Sequence, residues 1–148
     1  MAHTFTNLLY HIVFSTKERI PFLQKEIRPP MFDYFGGTVR GLGGTCLEVG
    51  GIEDHIHSLV RLKPNDDVAD FLAHLKPTMT KWGRQNIDRR FSWQPGYGAF
   101  SVGESQVTSV RNYIRNQEAH HGRVSFKDEF QRMLVEAGIE FDPNRLWG

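Results

Sequence analysis

A chain of 148 residues with a formal net charge of +1, 39% hydrophobic and 24% charged, can bury a core without staples and lacks the bulk charge to coat nucleic acid. Its single cysteine excludes a disulfide framework. No apolar run approaches the ~20 residues that span a bilayer, and Met1-Ala2-His3-Thr4 lacks a signal-peptide layout, so one cytosolic domain over residues 1–148 is expected.

Leu8 to Phe14 is apolar, aromatic and β-branched and reads as a strand that ends at the polar cluster Ser15 to Arg19. A poorly patterned helix follows from about Lys25 to Arg40, with Pro29 and Pro30 suited to a first turn and Gly41, Gly43 and Gly44 closing it. Thr45 to Val49 is a second strand, Gly50-Gly51 a turn, and Glu53 to Leu62 a third strand in hairpin with it. Behind Asp66 and Asp67 the period changes: Val68, Phe71, Leu72, Leu75, Met79 and Trp82 share one helical face, with a bend expected at Pro77. After a polar loop from Gln85 to Arg90, Ala99 to Val102 reads as a strand and Ser105 to His120 as a helix. The last helix opens at Ser125 with Asp128 three residues on, buries Phe126, Phe130, Met133, Leu134 and Ala137, and stops at Gly138 before an extended tail to Gly148. This order predicts an α+β, ferredoxin-like (split βαβ) antiparallel sheet with added C-terminal helices. The two crossover helices cover one face and leave the other free.

On the third strand, His55 and His57 are two residues apart and point to one face, while Ile56, Ser58 and Val60 point to the other. Two imidazoles so placed can converge on one metal ion, with a third ligand from elsewhere; equally, they can be tolerated members of a buried strand. A two-histidine face on an open sheet contributes little to a core, so replacing both with Ala is expected to leave the fold intact. Two neutral imidazoles with an oxygen ligand suit Mg²⁺ or Mn²⁺ and leave positions for phosphate and water.

The helix Ser105 to His120 carries an apolar stripe of Val107, Val110 and Ile114 and a charged stripe of Arg111, Arg115 and Glu118. Its third stripe, Gln106, Ser109, Tyr113, Asn116, Gln117 and His120, is polar yet nearly uncharged, which is unusual for a solvated face. Tyr113 and Gln117 are four apart and therefore adjacent, so a phenol could act while an amide oxygen ligates a metal or steers a phosphate. The competing reading is a tyrosine at the margin of a core stripe with its hydroxyl in water.

Four stretches in this order resemble the HUH single-tyrosine transposases of small insertion sequences and the REP-associated tyrosine transposases: Tyr10-His11-Ile12-Val13-Phe14, Asp54-His55-Ile56-His57, Phe91 to Val102, and Tyr113 to His121. The resemblance implies that His55 and His57 are the metal pair, Tyr113 the nucleophile and Gln117 the third ligand. It further implies a bacterial cytosolic, nucleoid-associated homodimer that cuts and rejoins single-stranded or hairpin DNA through a 5′-phosphotyrosine. Glu53 stands where many members have Pro, and Lys76 to Trp82 is a loose version of their Lys and Ser/Thr-rich helix end. Two other readings compete: a non-catalytic ferredoxin-like nucleic-acid-binding protein, and a metal-dependent hydrolase that uses water.

Lys17, Arg19, Lys76, Lys81, Arg84, Arg89 and Arg90 are candidate phosphate contacts, and Trp93 or Phe91 a candidate base-stacking ring, against the alternatives of solvated charge and core packing. His120 and His121 could approach the metal or simply meet a helix dipole, and Cys46 reads as a buried strand residue.

Overall fold

Strand β1 (Leu8–Ser15) runs through the middle of a four-stranded sheet in the computed structural model, which describes residues 3–146. The sheet has the order β2-β3-β1-β4, with β2 at Thr45–Gly51, β3 at His55–Leu62 and β4 at Gly98–Val102. Every pairing is antiparallel. Helices α1 (Arg28–Gly41) and α2 (Val68–Asn86) are the crossovers, which gives the ferredoxin-like topology expected from the order of elements.

The two faces of the sheet carry different chemistry because side chains alternate along each strand. Ile12, Phe14, Ile56, Val60 and Leu62 form the larger core with Met31, Phe35 and Val39 of α1 and Phe71, Leu72, Leu75 and Met79 of α2. α2 opens on Asp67, whose carboxylate accepts from the backbone N–H groups of Ala69 and Asp70. It runs as one helix through Pro77, whose missing N–H costs one rung of the ladder.

The second face is where the structure departs from expectation. It is covered by three further helices, α3 (Val107–Arg115), α4 (Gln117–His121) and α5 (Phe126–Glu136). Leu9, Leu59, Val102 and Ile114 make a small core there. Gly50 and Gly51, expected as a turn, belong to β2 and pair with His57 and Ile56. Their lack of a side chain matters: a Cβ on Gly50 would collide with the Ile114 carbonyl oxygen, so only glycine lets α3 approach β2 this closely. Arg111 and Arg115 then bind the two carboxylate oxygens of Glu48 on β2, at 3.1 and 2.9 Å.

The single helix expected from Ser105 to His120 is three pieces: a 3-10 turn at Glu104–Gln106, then α3, then α4 after a break at Asn116 (φ −95°, ψ 19°). α5 begins at the Ser125 cap, whose hydroxyl accepts from Asp128 N–H at 3.2 Å. Of its expected buried residues, Phe126 and Leu134 are buried, Phe130 and Met133 half-buried and Ala137 exposed; Glu129 is buried instead. The tail ends in a turn at Asp142 to Leu146, and Trp147 and Gly148 lie outside the described residues.

Candidate active site

β3 lies between β1 and β2, so its inward side chains lose all contact with solvent once the helices close the second face. His55 and His57 are each 0% exposed, with ring centroids 5.1 Å apart. The ring of Phe126 from α5 stacks on His55 at 4.0 Å. This burial overturns the expectation that both histidines can be truncated without harm to the fold. Alanine at either position opens a void and strips partners from a buried carboxylate, a change that costs about 3–5 kcal/mol in buried ion pairs.

That carboxylate is Glu129, 2% exposed. Its Oε1 lies 2.9 Å from His57 Nε2, 3.4 Å from His55 Nε2 and 3.1 Å from His121 Nε2. Its Oε2 accepts from the Tyr113 hydroxyl, and lies 3.2 Å from both Gln117 Nε2 and His120 Nε2. Gln117, 1% exposed, turns its Oε1 to His55 Nε2 at 3.1 Å and His121 Nε2 at 2.9 Å. His55, His57, Gln117 and Tyr113 therefore come together. Asn116 of the polar stripe faces solvent at the helix break, while Gln106 and Ser109 line a neighbouring cavity.

The far ring nitrogens decide what the near ones can do. Nδ1 of His55 faces Asp54 Oδ1 at 2.8 Å, Nδ1 of His57 faces His11 Nε2 at 2.8 Å, and Nδ1 of His121 faces the Val124 carbonyl at 2.6 Å. In the metal-free protein Nε2–H groups on this side meet Glu129; with the ring proton on each Nδ1 instead, donating outward, three Nε2 lone pairs would point at one centre beside Glu129. The donor atoms of His55, His57, His121 and Glu129 all lie within 4.8 Å of one another. Ligands at ~2 Å from one ion stand up to ~4 Å apart, so this cluster needs little contraction to hold a divalent metal.

Burial alone would lower the His55 pKa, but hydrogen bonds to Asp54 and Glu129 raise it above the usual histidine value. His57 is pushed down to about 4 by burial, and His11 to about 3 by burial and the neighbouring His57. For Glu129 burial would raise the pKa, yet hydrogen bonds from His121, His55 and His57 hold it far below the usual carboxylate range. Burial, and then the adjacent Glu129 carboxylate, pushes the Tyr113 hydroxyl well above an ordinary phenol. In the free protein the phenol keeps its proton and the carboxylate its charge.

Glu129 and His11 were not singled out as site residues from the sequence. The signal for Glu129 was a carboxylate inside the apolar stripe of Phe126, Phe130 and Met133; for His11 it was a histidine on the same strand face as Leu9 and Val13.

The basic candidates lie elsewhere. Lys76, Lys81 and Arg84 of α2 line a groove with Trp93, on the layer across the sheet from Tyr113. Lys76 Nζ donates to the carbonyls of Gln94 and Gly96 at 2.9 and 2.7 Å and sits 5.2 Å from the Phe14 ring; burial lowers its pKa to about 8. Trp93 packs edge-on against Phe14 and Phe91 and is 7% exposed, and Phe91 is 0% exposed, so both rings are core. Lys17 and Arg19 flank a turn beside Gln94, and Arg90 pairs with Asp88. Half-buried Cys46 has its thiol pushed up to about 11 by burial and donates to the Glu48 carbonyl.

Residues 4–117 match the family described as "Transposase IS200 like". The transposase for insertion sequence element IS200 of Salmonella typhimurium is 28% identical over 124 residues, covering 79% of this chain and 81% of that one. The ISDra2 transposase TnpA of Deinococcus radiodurans is 24% identical over 123 residues, covering 74% and 84%. In fold, the chain resembles a Deinococcus radiodurans R1 crystal structure assigned as a transposase, with TM-score 0.65 and 22% identity over 79% of this chain and 95% of that one. It also resembles a REP-associated tyrosine transposase bound to a REP hairpin, with TM-score 0.60 and 18% identity over 95% and 87%. The family match takes in His55, His57, Tyr113 and Gln117 and stops before His120, His121 and Glu129.

Proposed function

The chain belongs to the IS200-like transposase family, and on that premise we propose that it cuts and rejoins single-stranded DNA through a covalent 5′-phosphotyrosine at Tyr113. One observation carries the reading: a single buried carboxylate, Glu129, touches the Tyr113 hydroxyl with one oxygen and three converging imidazoles with the other. A phosphate drawn to the imidazole side is thereby within reach of the phenol.

Nε2 of His55, His57 and His121 and Oε1 of Glu129 would hold a divalent ion, with Gln117 Oε1 beside them. Bound there, such an ion would polarise a phosphoryl oxygen and neutralise charge in an in-line displacement. The chain's own part is to aim the phenol and take its proton. The Tyr113 oxygen forms a bond to phosphorus as the bond to the 3′-oxygen breaks; the phenol proton leaves along its hydrogen bond to Glu129 Oε2 and is passed on to water, while the departing 3′-oxygen takes a proton from water, so no proton stays on the carboxylate. The new ester preserves the energy of the old one, so rejoining needs no ATP. Lys17, Arg19, Lys76, Lys81 and Arg84 are proposed to meet the backbone phosphates of a strand passing round the end of the sheet.

The test is an adduct. Labelled single-stranded DNA from the flanks of the gene, incubated with the protein and Mn²⁺ or Mg²⁺ and then denatured, is expected to remain attached to a peptide containing Tyr113. Tyr113→Phe is expected to bind the same DNA without cleavage or adduct. Cleavage without adduct would favour a water-using hydrolase, and binding with neither would favour a non-catalytic binding protein.

A further inference from the structure

The Tyr113 hydroxyl is reached from a cavity of about 540 Å³ between β4, α3 and α5, within the ~300–1,000 Å³ usual for small-ligand sites. Phe100 and Val102 of β4 and Met133 of α5 give it apolar walls; Ser109 and Arg132 give it polar ones. Tyr113 and Glu129 line it as well, so the cavity and the candidate active site share their reacting groups. Phe100 is half-buried, held on one side by His11 with ring centroids 6.2 Å apart. Arg132 is exposed, follows Glu129 by three residues on α5, and has no ion-pair partner among the described residues. Its guanidinium lies near enough to act electrostatically on Tyr113 and His120.

We propose that this cavity receives the base of the nucleotide that stays on Tyr113, so that the chain reads the first base on the 5′-phosphorylated side of the cut. The inference rests on Tyr113 as nucleophile and deepens that reading. In an in-line displacement the attacking phenol and the leaving 3′-oxygen stand on opposite sides of phosphorus. The leaving strand therefore points away from Tyr113, and the retained nucleoside, attached through its 5′-oxygen, lies beside it. The space beside Tyr113 is this cavity. A base unstacked from its strand is held where a ring or apolar side chain stacks on it and polar groups meet its edge. Phe100 and Met133 can supply the first and the Ser109 hydroxyl the second. Arg132 then meets the next phosphate along the strand. Glu136, one turn further on the same helix, also lines the cavity and bars that phosphate from the far wall.

The experiment uses the full chain carrying Tyr113→Phe, which cannot react. Short 5′-phosphorylated single strands with each of the four bases, or an abasic sugar, at the first position are titrated by fluorescence anisotropy. The abasic strand is expected to bind about tenfold more weakly than the best base, the loss typical of one stacked base. Phe100→Leu, which retains apolar packing against β4, is expected to reduce binding of the base-bearing strands and not of the abasic strand. Arg132→Ala, at an exposed position on α5, is expected to weaken all strands equally and to lower the salt dependence of binding. Equal affinity for abasic and base-bearing strands, or equal losses for both on Phe100→Leu, would overturn the proposal. The same strands extended across the cut and offered to the Tyr113 protein separate the two readings. Base-dependent binding with no adduct would show a base-binding cavity and would overturn its assignment to a nucleotide retained on Tyr113, together with the cleavage reading. An adduct formed as fast on an abasic substrate would overturn the cavity assignment and leave the cleavage reading standing.

Discussion

Glu129 joins three imidazoles to a phenol because α5 brings an acid into a face already lined by His55 and His57. A buried carboxylate without partners would cost several kcal/mol; here hydrogen bonds from the surrounding imidazoles and the raised proton affinity of His55, or a metal ion in their place, supply the compensation. Glu129→Gln keeps the volume and removes the charge, and titration calorimetry is expected to show affinity for Mn²⁺ falling at least about tenfold. Three imidazoles in the donor set favour Mn²⁺ over Mg²⁺, which prefers oxygen ligands, so the wild type should bind Mn²⁺ more tightly. Lys76 gives a pH signature of its own. Burial lowers it to about 8 from an unfolded value of 10.5, so between those values the unfolded chain holds the extra proton. The penalty for burying the charge is full below about pH 8 and is relieved as pH rises toward 10.5. Thermal melts on the two sides of that window should show the wild type gaining stability relative to Lys76→Met as pH rises. A constant difference would mean the ammonium is not desolvated.

At the scale of elements, the break at Asn116 separates the tyrosine helix from the short helix of Gln117, His120 and His121. A straight helix would hold all of these on fixed 100° steps; the break lets Gln117 turn fully inward while Tyr113 keeps its hydroxyl toward Glu129. α3 is registered against β2 by the glycine contact at Gly50 and the Glu48 pairs with Arg111 and Arg115. Gly50→Ala puts a methyl against backbone that cannot rotate away, so urea unfolding is expected to show a loss of about 1–3 kcal/mol. Because the strain falls on Ile114, next to Tyr113, adduct formation should fall more than DNA affinity does. Unchanged stability would show that α3 is free to shift.

For the whole molecule, the sheet separates a conventional apolar core from a polar site with its own smaller core. The basic groove of α2 lies on the first side and Tyr113 on the second, so one strand contacting both has to pass round the edge or end of the sheet. Among the described residues no helix is long and apolar enough to cross a membrane. On the proposed chemistry a lone tyrosine would handle one strand end and excision would require two, so we expect a homodimer. Light scattering should give about twice the chain mass of 17.1 kDa. A strict monomer would remove shared active sites and leave cleavage itself untouched.

Much of the fold and half of the candidate site were legible because they depend on local geometry. Strand alternation alone puts His55 and His57 on one face, and four-residue spacing alone sets Gln117 beside Tyr113. The change of hydrophobic period at Val68 marks α2, and the order of strands and helices leads to the antiparallel sheet that is observed. The sequence does not reveal which element packs against which residue. Glu129 lies 72 positions from His57, and His11 46 positions before it; nothing in a local pattern ties an acid on the last helix or a histidine on the first strand to the third strand. Gly50-Gly51 reads as a turn because glycine permits one, yet its role is to admit the backbone of a helix more than sixty residues later. The closing of the histidine face, the break at Asn116 and the gathering of the candidate metal donors were decided only in the tertiary structure. Each is a balance of burial against polar compensation between distant segments, and that balance exists only once those segments are in contact.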